Sequence, residues 1–133
     1  MNGEMESVVI ITATFQANLP ANSLINAKIQ FDPALDPQTE VRVPISEAWV
    51  IDDVFVSSSQ SVDAILQFEK NYGETVARTP PINSMIVSNP SRPMIKPAVY
   101  GPGEILTIKA QNLAAIGSSA VTITVYAKIK RFK

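Results

Sequence analysis

Val121-Thr122-Ile123-Thr124-Val125-Tyr126-Ala127-Lys128-Ile129-Lys130 is the stretch that decides the fold class. Val121, Ile123, Val125, Ala127 and Ile129 fall on one side. Thr122, Thr124, Tyr126, Lys128 and Lys130 fall on the other. Successive side chains of a β-strand point to opposite faces. The run therefore reads as a strand with one buried and one wetter face, which is the antiparallel pattern.

The same period of two recurs outward from this run. It appears over residues 24–31 (Ile25, Ala27, Ile29 and Phe31 on one face), 61–69 (Val62, Ala64, Leu66, Phe68) and 104–111 (Leu106, Ile108, Ala110). Residues 7–17 are rich in β-branched side chains, and 40–44, 84–87 and 94–100 are shorter candidates. Residues 47–56 are strongly apolar except for Asp52-Asp53, which predicts a bulge, or a bend where the strand changes sheets. Turn signals separate the runs: 18–22, Asp32-Pro33, Asp36-Pro37, 57–59, Asn71-Tyr72-Gly73, 88–91, Gly101-Pro102-Gly103 and 117–119. No amphipathic helix is visible, and 112–116 suffices for one turn. Six of the ten prolines lie between Pro80 and Pro102. Proline cannot donate to a ladder, so residues 80–103 read as a Pro-rich connection or an edge strand. Such a stiff chain either crosses one end of a sandwich or reaches over a neighbouring subunit.

The chain has 133 residues, enough for a single domain over 1–133 that buries roughly two thirds of its unfolded surface. About eight short strands joined by loops of very different lengths predict an all-β, antiparallel two-sheet sandwich of jelly-roll type. An immunoglobulin-like sandwich has fewer strands, and its Cys–Trp–Cys hallmark has no place in a chain without Cys.

The absence of Cys and His removes disulfides, thiolate chemistry, iron–sulfur ligation, His-based acid–base chemistry and the usual zinc sites. Charged residues are 17% of the chain, against a typical ~25%. That fits either a monomer with a neutral surface or a subunit whose surface meets neighbours, since interface centres are depleted in charge. A net charge of -1 argues against binding driven by phosphate contacts. The charge is uneven, however: Lys128, Lys130, Arg131 and Lys133 crowd the end of the chain. They are either a solubilising end that blunts an edge strand or a basic tail for nucleic acid or an acidic partner. No signal peptide is visible, and no apolar run reaches the ~18 residues of a membrane span.

A larger layout now emerges. Ala48-Trp49-Val50-Ile51-Asp52-Asp53-Val54-Phe55-Val56 ends in a Ser-rich turn, and an alternating strand then closes on Asn71-Tyr72-Gly73. Later, Gly101-Pro102-Gly103-Glu104 leads into Ile105-Leu106-Thr107-Ile108-Lys109-Ala110-Gln111-Asn112, then a Gly-Ser-Ser turn and a long final strand with a basic end. Over residues 40–133 this order resembles the single jelly-roll coat proteins of icosahedral viruses, a likeness of pattern without an invariant motif. The resemblance implies a non-catalytic virion protein that forms homo-oligomers, alone or with other coat proteins, through sandwich edges and loops.

Other chemistry has thin support. Asp32, Asp36 and Glu40 offer oxygens to a calcium ion or simply begin Asp-Pro turns. Asp52 and Asp53 point to opposite faces unless bulged, so they make no acid–base pair on a regular strand. Trp49, Tyr72, Tyr100 and Tyr126 could stack on sugar rings, although Trp49 sits in a core-like run. The candidate interaction residues are Tyr100, Tyr126, Lys128, Lys130, Arg131 and Lys133. No catalytic residue, metal or cofactor is expected. The second reading is a carbohydrate-binding or surface-attachment module.

Overall fold

The computed structural model describes residues 4–31, 36–57, 63–82, 91–115, 117 and 119–133. The expected strand at 84–87 and the turns at Asp32-Pro33, 58–59 and 88–90 lie outside the described residues. Among the described residues there are ten strands: β1 (Glu4–Phe15), β2 (Leu24–Asn26), β3 (Lys28–Gln30), β4 (Glu40–Arg42), β5 (Ala48–Ser57), β6 (Ala64–Lys70), β7 (Glu74–Arg78), β8 (Ser91–Tyr100), β9 (Ile105–Asn112) and β10 (Val121–Phe132). They form two antiparallel sheets. The first has the order β3-β1-β10-β5-β8, and the second β2-β9-β6-β7, with β4 also on β9.

The pairings nest. β1 pairs with β10, β2 and β4 with β9, β5 with β8, and β6 with β7. Such a set is one long hairpin rolled up so that β10 also lies beside β5 and β9 beside β6. This is the jelly roll.

The strand count exceeds eight for a local reason. The alternating run over 24–31 is two strands: β2 joins one sheet, and β3, after Ala27, joins the other. Both sheets bury the face that looks at the shared core, so alternation continues unbroken while the chain changes sheets. β4 then returns to the edge of β9, below β2. The change of sheets therefore falls at Ala27 and not at Asp52-Asp53.

Asp52-Asp53 does hold the expected bulge. Along β10 the partners run Lys128↔Asp53 and then Ile129↔Ile51, which leaves Asp52 unopposed. Trp49 and Ile51 are buried before it, and Val54 and Val56 after it. The extra residue absorbs the change of phase from odd to even positions. On its other side β5 meets β8, where Ile51↔Ala98 is followed by Asp53↔Pro93. β8 is an edge strand of its sheet.

The core lies between the sheets. Ile11, Phe15, Trp49, Ile51, Ile123 and Ile129 meet Leu66, Phe68, Leu106 and Ile108, all buried. Deleting Asp52 leaves the in–out phase of β5 intact. We expect that variant to unfold cooperatively with a loss of about 1 kcal/mol, from the Lys130 ion pair. Deleting Val50 turns Trp49 away from the core and costs more than about 3 kcal/mol. Urea unfolding followed by Trp49 fluorescence distinguishes the two.

Candidate functional site

The basic end of the chain is largely committed within the protein. Strand β10 is central, flanked by β1 and β5, so its cations do not guard an edge. Lys130 Nζ lies 3.5 Å from Asp52 Oδ2, which the bulge brings to the same face. Lys128 Nζ sits 5.2 Å from the centre of the Phe55 ring. Arg131 makes a two-pronged contact with Glu47: Nε donates to Oε1 at 2.7 Å and Nη2 to Oε2 at 2.9 Å. Its guanidinium also lies over Phe31, 5.4 Å from the ring centre. Lys133 is exposed at the chain end.

Glu47 joins three elements. Besides Arg131 it accepts a 2.9 Å hydrogen bond from Trp49 Nε1, and the Trp49 ring stacks on Phe31 at 5.2 Å. The hydrogen bonds from Arg131 hold the Glu47 carboxyl down at about 2, from an ordinary 4.5, against the opposing effect of burial; Trp49 lowers it further. A carboxyl depressed in the folded state contributes stability that is complete above its unfolded value and lost as pH falls through its folded one.

Tyr100 is corrected as an interaction candidate. It is fully buried, and its hydroxyl donates to the Glu69 carbonyl oxygen at 3.1 Å across the sandwich. Burial pushes that hydroxyl far above the ordinary phenol range. The signal was in the sequence: Ala98 and Tyr100 alternate around exposed Val99. Arg131 is likewise a structural residue.

Tyr126 is where alternation placed it, outward and 39% exposed. Its register partners are Ile10 on β1 and Phe55 on β5, so three strands set an apolar row across the first sheet. Val8 and Val99 extend this face, both exposed.

The outward face of the second sheet holds a group that sequence reasoning missed. Glu69, Thr107 and Glu40 are register partners on β6, β9 and β4, and Gln67, Lys109 and Asn26 form the neighbouring row. Glu69 is only 3% exposed. Its carboxylate is 3.3 Å from Lys109 Nζ and accepts a 2.6 Å bond from Gln67. With Thr39 and Tyr72 at the rim, these rows line a recess of about 230 Å³. Among the described residues no group of three or more acidic side chains is placed to hold a metal ion, and Asp32 lies outside them. Among the same residues no helix is long and apolar enough to cross a membrane.

No protein-family model matches the sequence, and no curated protein matches it. Among solved structures, the chain is similar to a chain of the cyanophage Pam1 capsid asymmetric unit, with a TM-score of 0.50 and 10% identity, over 96% of this chain and 86% of that one. It is also similar to a chain of the acidic stable capsid of Helicobacter pylori bacteriophage KHP30, with a TM-score of 0.43 and 13% identity, over 98% and 93%. A third likeness is to infectious bursal disease virus, Gt strain, with a TM-score of 0.37 and 12% identity, over 96% of this chain and 40% of that one. At such identities the Pam1 likeness is one of fold.

Replacing Glu47 by Gln should cost about 3 kcal/mol at neutral pH, because Arg131 is left half-buried without its carboxylate. It should also flatten the loss of stability that the natural chain undergoes between pH 4.5 and about 2. Urea midpoints across that range check both effects.

Proposed function

We propose that this protein is a structural, non-catalytic coat or coat-associated subunit that acts by associating with copies of itself or with other coat proteins in a virion. The observation that carries this reading is the nested strand pairing. The fold that it builds is similar, over 96% of this chain, to that of a chain from a phage capsid. The sequence adds support, since a chain without His or Cys lacks the usual groups for acid–base or thiolate chemistry at neutral pH.

The surface suggests how association proceeds. Edge strand β8 carries Pro93 and Pro97, which cannot donate to an added strand. The outer face of the first sheet offers Val8, Ile10, Phe55 and Tyr126, with Lys128 and Lys130 beside them. Apolar rings ringed by polar groups make a suitable interface centre. Ile45, at 83% exposure, tops the turn between β4 and β5 and is a second contact at one end of the sandwich. Lys133 remains a candidate for an acidic partner or nucleic acid, and Lys130 and Arg131 contribute less because acids already face them.

Light scattering of the purified chain at low and high salt tests the reading. A trimer, pentamer or larger particle is expected, and Tyr126→Glu should shift the mass toward the monomer without loss of folding. A monomer at every concentration and salt, with no binding to other coat proteins, overturns it.

A further inference from the structure

We propose that the recess on the outer face of the second sheet binds one neutral pyranose sugar, stacked on Tyr72 and hydrogen-bonded by the two rows beneath it. This inference stands on the recess alone and does not depend on self-association.

Three observations carry it. The first is backbone strain. Asn71 and Tyr72, in the turn between β6 and β7, have φ of 52° and 67°. Asn is at home in that left-handed region, whereas a bulky aromatic there is an outlier. The turn is anchored independently, since Asn71 Oδ1 accepts from Ile105 N at 3.1 Å and Asn71 N donates to Ile105 O at 2.9 Å. Tyr72 could therefore be Asn or Gly with less strain. Instead its ring stands 66% exposed at the rim, tethered by a 2.7 Å bond from its hydroxyl to Glu40 Oε2. Strain of this kind is retained where a side chain has a role.

The second is an unmet polar group. Thr107 lines the recess, and among the described residues its Oγ1 is a buried side-chain oxygen with no hydrogen-bond partner. Buried polar atoms are normally satisfied, and a turn of the Thr107 side chain about χ1 brings this hydroxyl to one supplied by a ring in the recess.

The third is the character of the lining. Glu69 is already paired with Lys109 and Gln67, and Glu40 with Tyr72. The site therefore presents donors and acceptors held in place by one another, with two carboxylates and one ammonium among them. That disfavours an anion, and carboxylates already engaged by Lys109, Gln67 and Tyr72 suit a ligand rich in hydroxyls. An added peptide strand has no place here, because β2 and β4 occupy the edge of β9 above and below, and Ala27 N takes the carbonyl of Ile108 between them. The volume, about 230 Å³, lies below the roughly 300–1,000 Å³ of pockets for drug-sized ligands and limits the occupant to about one ring.

Ligand-observed saturation-transfer NMR tests the proposal, because it reads weak binding whatever the size of the assembly. The probes are glucose, galactose, mannose and N-acetylglucosamine, each with the natural chain, Tyr72→Asn and Thr107→Val. Saturable transfer is expected for at least one sugar, with a Kd on the order of 1 mM. It should weaken by about tenfold in Tyr72→Asn, which keeps a residue suited to the turn and should melt no lower than the natural chain. Thr107→Val, similar in shape but without the hydroxyl, should also weaken binding. Absence of transfer for all four sugars, or equal transfer with Tyr72→Asn, overturns the proposal.

Discussion

The pairing of β1 with β10 runs without a break from Glu4↔Phe132 to Phe15↔Val121. It joins the two ends of the chain, at the entropic cost of closing a loop of almost the full length. The remaining pairs lie inside it as successive layers of the same rolled hairpin. It also places the longest amphipathic strand in the middle of a sheet, with both backbone edges satisfied. The edges left to β3, β8, β7, β2 and β4 are short or carry prolines. These edges thereby offer little open backbone for an added strand.

A second consequence is that residues from distant parts of the chain meet at one end of the sandwich. Arg131, Glu47, Trp49 and Phe31 form a connected set of stacked rings and charge-assisted bonds. Bidentate geometry and burial make this pair stronger than a surface ion pair, and the depressed Glu47 carboxyl reflects it. The cluster explains why the basic end offers little free charge. It also makes the sandwich sensitive to acid at one defined place.

The two outer faces have different characters. One carries an apolar row across β1, β10 and β5, and the other a hydrogen-bonded polar group sunk between β2, β4 and the turn that bears Tyr72. A flat apolar face and a small polar recess suit different occupants. The strained tyrosine is the local sign that the recess was shaped for more than stability.

By itself, the sequence determined that the chain is all-β, where most strands run and which side chains of 64–68, 106–111 and 121–130 face the core, because a period of two reports the face of every residue directly. The bulge was one of two readings of the adjacent acids Asp52-Asp53 in an apolar run, the other being a change of sheets. Only the tertiary structure decided which strands are neighbours. Alternation tells inside from outside and is silent about partners, so it could not show the change of sheets at Ala27, the central place of β10 or the partner of Arg131. Glu69 shows the limit best. Its position on the wetter face was correct, yet it is buried, because the Tyr72 turn and the edge strands, distant in sequence, surround it.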